Sequence, residues 1–133
     1  MMRLLPRLDG TNEFFWTSGR EGVLRILRCG GCRYWLHPPS PRCPECGGTD
    51  LSPEAVSGRG IVVSYTINHQ PWDGGDVPYV LAVVDLVEQP GLRLTTNIVG
   101  SDLDRIDIGL EVSVIFEDHD PVFLPLFEPA ERD

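Results

Sequence analysis

Four cysteines in two Cys-x-x-Cys pairs are the residues of this 133-residue chain whose types and spacing could do chemistry. The pairs are Cys29 with Cys32 and Cys43 with Cys46, and ten residues separate them. Each pair can form a turn that presents two thiolates to one metal ion, so together they predict a four-thiolate zinc site. Such a site leaves no coordination position for water or substrate. We therefore expect one zinc ion per chain, with a structural role.

Two disulfides, a redox dithiol and an iron–sulfur cluster are the alternative uses of these cysteines. Disulfides need an oxidising compartment, whereas residues 1–16 lack the apolar core and small-residue cleavage site of a signal peptide. A redox pair would leave the other pair unexplained, and iron–sulfur clusters are less often built from turns flanked by Pro and Gly. Since no apolar run approaches the ~20 residues of a membrane span, we expect a cytoplasmic protein with no membrane contact.

Charge is unevenly distributed along the chain, whose net charge is −9. Residues 1–60 contain eight Arg and six acidic residues, whereas residues 61–133 contain three Arg and fourteen acidic residues. A nucleic-acid-binding protein needs a basic groove to neutralise phosphates. The acidic C-terminal half therefore argues against nucleic acid as a partner, and any anion is expected to bind the N-terminal half.

The elements that must position the cysteines follow one another along the chain. Residues 9–22 predict a short helix, because they begin with capping residues and end with glycines. Residues 23–28 predict a strand that leads into the first cysteine pair, and residues 29–50 predict the zinc ribbon itself. Residues 51–60 are interpreted as a connector.

From residue 61 the pattern changes to segments rich in β-branched and aromatic residues, separated by turn residues. Five strands are predicted, over residues 61–69, 79–87, 92–99, 110–116 and 122–127. The connection at 101–109 alone has room for a helical turn, and this order is that of the OB-fold, a five-stranded barrel. A five-stranded sandwich remains the alternative. The fold class is therefore mainly β, with an N-terminal helical segment (1–22), a four-cysteine zinc ribbon (23–56) and an OB-fold (57–133).

Several segments, taken in order, resemble the acyl-CoA-associated zinc-ribbon/OB-fold proteins of domain-of-unknown-function family 35. The similarity covers about residues 13–128 and includes the aromatic N-terminal helix. The segments are HPPSPRCPECGG (37–48), SGRGIVVSYTINH (57–69), PYVLAVVDL (78–86), NIVG (97–100), IGLEVSVIFED (108–118) and LPLFEP (124–129).

The resemblance implies a non-catalytic accessory subunit that sits beside a thiolase-superfamily enzyme and helps to form its acyl-CoA site. Some relatives bridge a thiolase and a synthase. Others are fused to hot-dog hydratases and serve thiolase-like aldolases that cleave steroid side-chain CoA thioesters. The expected partners are therefore a thiolase-fold aldolase (a lyase), its acyl-CoA, and a hot-dog hydratase, fused or associated. All catalysis is expected in the partner.

A single-stranded nucleic-acid-binding protein is the alternative function, because OB-folds commonly have it. Tyr65, Tyr79 and Phe116 would offer aromatic rings for base stacking. The acidic composition of residues 61–133 opposes this alternative.

Aromatic residues of the N-terminal helix are the first candidates for partner binding. Phe14, Phe15 and Trp16 are consecutive, so they cannot all face one side of a helix. We expect at least one of them, together with Trp35 of the ribbon, to contact the partner enzyme.

Arginines around the ribbon are candidates for binding the phosphates of CoA, because a guanidinium group can recognise a phosphate through two hydrogen bonds. The candidates are Arg33, Arg42 and Arg59. The alternative is a solvated basic face, or ion pairs with the acidic barrel.

The three histidines, His37, His69 and His119, show no spacing typical of a catalytic triad. We expect each to be a surface residue, and we expect no catalytic site in this chain. Trp72 lies in a long predicted loop, where it either covers a partner or ligand or packs on the barrel.

Overall fold

The computed structural model describes residues 5–69 and 78–130, so Trp72 lies outside the described residues. An α-helix, α1, spans Glu13–Thr17 and continues as a 3-10 turn over Ser18–Glu21, which makes the α-helix shorter than predicted. No helix within the described residues is long and apolar enough to cross a bilayer. The strands are β1 (Leu24–Cys29), β2 (Trp35–Leu36), β3 (Leu51–Val56), β4 (Arg59–Asn68), β5 (Tyr79–Leu86), β6 (Arg93–Ile98), β7 (Glu111–His119) and β8 (Val122–Pro129).

The ribbon is a three-stranded antiparallel sheet in the order β2-β1-β3. The prediction of a connector over 51–60 is wrong, because β3 pairs with β1 along its whole length, from Leu51 opposite Cys29 to Val56 opposite Leu24. The segment contains Pro53, which argues against a central strand. However, β3 lies at the sheet edge, where a residue without an N–H is tolerated.

The remaining five strands form a closed barrel in the order β4-β5-β6-β8-β7, which confirms the barrel and excludes the sandwich. Residues alternate along β5, with Val80, Ala82, Val84 and Leu86 buried inside. A 3-10 turn at Leu103–Arg105 lies between β6 and β7, at the predicted connection.

Ribbon and barrel share one hydrophobic core. Leu24, Ile26 and Trp35 of the ribbon belong to the same buried cluster as Val62 and Phe127 of the barrel. Burying a large apolar side chain stabilises a fold by roughly 1.5–3 kcal/mol, so this shared core holds the ribbon on the barrel.

The N-terminal segment packs on the outside of β7 and β8. Gly19 is buried so close to Phe116 and Phe123 that a Cβ atom would clash with both side chains. Arg20 forms an ion pair with Asp120, and its guanidinium carbon lies 5.5 Å from the centre of the Phe123 ring. These contacts fix the direction from which α1 approaches the barrel.

The side chain of Gln89 also joins the barrel to the ribbon. Its Oε1 accepts a hydrogen bond from the Trp35 N–H, and its Nε2 donates to the Trp35 carbonyl, both at 3.0 Å. In the ribbon sheet, β2 is an edge strand with β1 on one side. The Gln89 amide hydrogen-bonds to the other side of β2, as a neighbouring strand would.

We expect Gln89→Ala to lower the free energy of unfolding by about 1–2 kcal/mol, because both polar groups of the Trp35 backbone lose their partner in a half-buried site. Gln89→Glu is the matched control, since a carboxylate can accept from the Trp35 N–H but cannot donate to its carbonyl. In urea unfolding, Gln89→Glu should lower the free energy of unfolding by less than Gln89→Ala does. Equal stability of the wild type and Gln89→Ala would show that this pair does not hold the two parts together.

Candidate metal centre and partner surface

Both Cys-x-x-Cys turns are closed by the same backbone hydrogen bonds. In each, the residue after the second cysteine donates its N–H to the carbonyl of the first cysteine at 2.9 Å. That residue is Arg33 in the first turn (φ 69°) and Gly47 in the second (φ 74°). Both adopt the left-handed conformation, which glycine takes freely and arginine only with strain. The two turns are therefore near-copies that face each other.

The four cysteine sulfurs lie within 4.8 Å of one another. The Sγ atoms of Cys29 and Cys46 are 3.6 Å apart, and those of Cys32 and Cys43 are 3.5 Å apart. A zinc ion with four thiolates at its usual Zn–S distance would place the sulfurs about 3.8 Å apart, whereas a disulfide needs about 2 Å. The arrangement fits one tetrahedral zinc ion, as the spacing predicts.

Backbone N–H groups surround the sulfurs on the ribbon side. The Cys32 N–H lies 3.5 Å from Cys29 Sγ, and the Glu45 N–H lies 3.4 Å from Cys43 Sγ. Cys29 and Cys43 are buried, whereas the other two cysteines are exposed. Such donors favour the thiolate form and orient the sulfurs, so two buried ligands anchor a site that opens at the ribbon surface.

The thiols of Cys29 and Cys32 differ in acidity. The N–H of Cys32 is the main cause that lowers the pKa of the Cys29 thiol to about 7. The Tyr34 backbone lowers the pKa of Cys32, but hydrogen bonding to the Cys43 thiol and desolvation outweigh it and raise that pKa to about 12. A bound zinc ion would ionise all four thiols, which is the chemistry this donor set supports.

Trp35 lies between the ribbon and the barrel rather than on the surface. Its side chain is only 6% exposed, and the guanidinium carbon of Arg28 lies 4.3 Å from its ring centre. Arg28 also lies 3.5 Å from Glu54, to which Arg33 is paired at 3.0 Å. The structural role of Arg28 was not predicted from the sequence, since its contact with Trp35 depends on the β1–β2 register and Glu54 comes from the separate strand β3.

The three candidate arginines lie on different elements. Arg33 follows the first cysteine pair, where its ion pair with Glu54 occupies part of its guanidinium group. Arg42 donates to the Gly47 carbonyl at 3.2 Å, just before the second pair. Arg59 begins β4, is exposed, and forms no ion pair with another described residue. Arg59 therefore has the guanidinium group most available to an anion.

The three aromatic residues of α1 face different surroundings. Phe15 is 5% exposed and packs edge-to-face on Trp16, with ring centres 4.7 Å apart. Phe14 and Trp16 are half-buried, with one part of each ring against the core. The accessible aromatic surface of α1 thus belongs to Phe14 and Trp16.

The surface position predicted for His37 is wrong. Its ring packs against Phe15 with centres 4.8 Å apart, and burial lowers its pKa to about 4. His69 is exposed after β4. His119 ends β7 and lies 2.6 Å from the Glu117 carboxylate. The residues next to His37 in sequence do not reveal its burial, because Phe15 reaches it from the N-terminal helix.

Acid should destabilise the fold through His37. The pKa of His37 is about 4 in the folded protein and about 6.5 in the unfolded chain, so the ring is neutral in both states above pH 6.5. As the pH falls towards 4, the unfolded chain takes up a proton that the folded protein does not, and the free energy of unfolding therefore decreases. Between pH 7 and pH 5 we expect a loss of about 1–2 kcal/mol from this group. Urea unfolding at the two pH values measures it, with His37→Phe as the control. The same pH dependence in both proteins would contradict the assignment.

A groove of about 810 Å³ lies where the N-terminal segment, the ribbon and the barrel meet. Trp16 of α1 and the turn at residues 37–39 form one wall, whereas residues 93–97 of β6 and 124–126 of β8 form the other. The groove was not predicted from the sequence, because its walls come from four separate segments.

Two family models match the chain: the rubredoxin-like zinc ribbon domain of ChsH2 over residues 16–52, and the C-terminal OB-fold domain of ChsH2 over residues 53–117. The chain belongs to the ChsH2 (DUF35) family. The ChsH2 ribbon model covers all four cysteines, and the ChsH2 OB-fold model covers β4 to most of β7. Both parts of the fold are thus those of ChsH2 proteins, which confirms the resemblance noted from the sequence.

Three relatives place the chain within the ChsH2 family. It is 34% identical to the 3-oxo-4,17-pregnadiene-20-carboxyl-CoA hydratase alpha subunit of Mycobacterium tuberculosis, over 98% of this chain and 41% of that protein. It is 39% identical to a DUF35 domain-containing scaffold protein of Methanothermobacter thermautotrophicus, over 69% of this chain and 68% of that one. A solved chain of an Ltp2-ChsH2(DUF35) aldolase matches with a TM-score of 0.85 and 38% identity, over 96% of this chain and 100% of that chain. The chain spans about two fifths of the length of the mycobacterial relative.

Proposed function

We propose that the chain is a non-catalytic accessory subunit that binds a thiolase-superfamily enzyme and helps to form its acyl-CoA site. The observation that carries the proposal is the likeness to the solved chain of an Ltp2-ChsH2(DUF35) aldolase, at 38% identity over the full length of that chain. The scaffold name of the archaeal relative supports a role in assembly rather than in catalysis. The chain works, on this proposal, in the cytoplasm.

The chemistry of the described residues supports the same division of labour. The four thiolates would fill the coordination sphere of a zinc ion, so the metal would hold the ribbon together and activate no water. Carbon–carbon bond cleavage or formation would take place in the partner. The name of the mycobacterial relative includes hydratase activity, but this chain matches only 41% of that protein. We place the hot-dog hydratase, fused or associated, outside the matched part.

Within this class we favour retro-aldol cleavage of a steroid-type side-chain acyl-CoA by the partner. The steroid carboxyl-CoA in the name of the mycobacterial relative and the aldolase in the name of the solved complex support that choice. Arg33, Arg42 and Arg59 are the proposed contacts to the CoA phosphates. Arg59 is the strongest of the three, since it is exposed and, unlike those of Arg33 and Arg42, its guanidinium group has no ion pair or hydrogen bond with a described residue.

Reconstitution tests the proposal. The chain and a thiolase-superfamily enzyme from the same organism are purified separately, mixed and passed over a sizing column with light scattering. A complex is expected, and cleavage of a steroid side-chain acyl-CoA should need the enzyme and be faster with the chain present. Turnover of the acyl-CoA by the chain alone would overturn the accessory role. The same would follow if the activity and the acyl-CoA affinity of the enzyme were equal with and without the chain.

We expect the chain alone to bind single-stranded DNA poorly, because the barrel half carries fourteen acidic residues and three Arg. Fluorescence anisotropy with a labelled oligonucleotide, at two salt concentrations, measures this. Submicromolar binding that weakens with salt would favour the alternative function, a single-stranded nucleic-acid-binding protein.

A further inference from the structure

The barrel is closed between β6 and β8 by one parallel pair, Ile98 opposite Phe127. Two residues before Phe127 on β8, Pro125 has no N–H to donate to β6. Its carbonyl accepts a hydrogen bond from the Thr96 hydroxyl at 3.0 Å. Among the described strands, the segment of β6 from Arg93 to Thr95 therefore pairs with β5 alone. The barrel retains an open strand edge at this point.

The backbone groups on this edge can be assigned by their alternation. The Leu86 N–H donates to the Leu92 carbonyl at 2.8 Å, which turns the backbone groups of residues 92, 94 and 96 towards β5. The Val99 N–H donates to the Phe127 carbonyl at 2.9 Å, which turns the odd-numbered residues towards β8. The N–H and C=O groups of Arg93 and Thr95 thus point into the gap between β6 and β8.

The groove that meets α1 lies along this gap, since residues 93–97 line it from one side and Trp16 lines it from the other. Five residues of an extended strand span about 17 Å. The groove thus offers a row of backbone hydrogen-bonding groups beside a wall that contains Trp16, Pro38 and Pro39 together with the polar residues Asp9, Thr11 and Asn12. Open backbone groups beside such side-chain contacts are the combination that recognises an extended peptide by strand addition. Edge strands left open are usually covered by another chain or blocked.

We propose that this groove binds an extended segment of the thiolase-fold partner, which adds to β6 as a further strand. The inference rests on the proposed function and specifies its docking site. Charge indicates which segment fits. Arg93 is exposed and forms no ion pair with another described residue, not even with Asp85 opposite it on β5. A segment with an acidic residue near Arg93 is therefore the complementary partner.

Amide hydrogen exchange tests the docking site. Exchange is measured in the chain alone and in its complex with the thiolase-superfamily enzyme used for reconstitution. The amides of Arg93 and Thr95 should exchange at least tenfold more slowly in the complex. Synthetic peptides that cover the sequence of the enzyme are then titrated into the chain alone, and one with an acidic residue should protect the same amides.

Two variants test the contributions of the β6 backbone and of the Arg93 charge to binding separately. Thr95→Pro removes one N–H from the open edge and should weaken the complex at least tenfold. Arg93→Glu leaves the backbone intact, so it tests the site even if Thr95→Pro fails to fold, and it should weaken the complex by a similar factor. Arg105→Glu is the matched control, because Arg105 is also exposed but lies on the 3-10 turn after β6. It should leave the affinity unchanged.

Each other outcome overturns the docking site. A complex that forms with unchanged exchange at Arg93 and Thr95 refutes it and leaves the proposed function standing. Protection of these amides by an acyl-CoA alone would make the groove a ligand site. Protection that rises with the concentration of the chain alone would make it a contact between two copies. The absence of any complex would refute the proposed function and this inference with it.

Discussion

Cys43→Ser should abolish stoichiometric zinc binding and unfold the ribbon. Cys43 is 2% exposed and belongs, with Cys29 and Leu36, to the small second core of the protein. Zinc bound to four thiolates contributes on the order of 10 kcal/mol of folding free energy, which this core cannot replace. Elemental analysis should show a fall from about one zinc ion per chain to almost none. Two-dimensional NMR should show loss of the β2 and cysteine-turn signals, with most barrel signals retained.

Chelation of zinc from the wild-type protein is the control for this experiment, because it removes the metal without changing a side chain. It should reproduce the spectrum of Cys43→Ser. Because Leu24, Ile26 and Trp35 pack into the barrel core, we also expect a lower melting temperature for the barrel in both samples. Iron in the wild-type protein, intact disulfides, or a native ribbon in Cys43→Ser would each contradict the zinc assignment.

Phe14→Ala and Trp16→Ala should each weaken binding to the thiolase-fold partner about thirtyfold. Both rings are half-buried against the core and half-accessible, and a central aromatic anchor typically contributes ~2 kcal/mol or more to an interface. Calorimetric titration of the enzyme with each variant measures the change. Tyr65→Ala is the matched control, since Tyr65 is 36% exposed on the barrel and should change affinity less than twofold.

Phe15→Ala and Trp35→Ala serve a different purpose in the same series. Both side chains are buried within the chain, so their truncation should lower stability before it affects any interface. A loss of binding in any variant counts only when zinc content and melting temperature match the wild type. Unchanged affinity in folded Phe14→Ala and Trp16→Ala proteins would move the interface away from α1.

Local features account for most of what the sequence predicted correctly. The zinc site follows from two short turns whose geometry depends on residues within a few positions, so the spacing of Cys29, Cys32, Cys43 and Cys46 was sufficient. The barrel strands follow from alternating β-branched residues, and a pattern with period two survives whatever the strand pairs with. The 3-10 turn at Leu103–Arg105 follows from the length of its connection.

The errors and omissions share a physical cause, which is that strand pairing and burial depend on residues far away in the sequence. Residues 51–60 were interpreted as a connector, yet residues 51–56 form an edge strand because β1 supplies a partner on one side. His37 was predicted to be a surface residue, yet the ring of Phe15 packs against it. Gln89 has no distinctive neighbours, and its pairing with Trp35 spans 54 positions.

The sequence by itself determined the chemistry of this protein: which atoms could hold a metal, which half repels phosphate, and which segments must be strands. Only the tertiary structure determined which side chains and which strand edge remain accessible at the surface. It buried Phe15 and Trp35, left Phe14 and Trp16 half-accessible, and opened the β6 edge beside Pro125. Ligand sets and strand periodicity are properties of neighbouring residues, whereas a surface is what remains after distant segments have packed together.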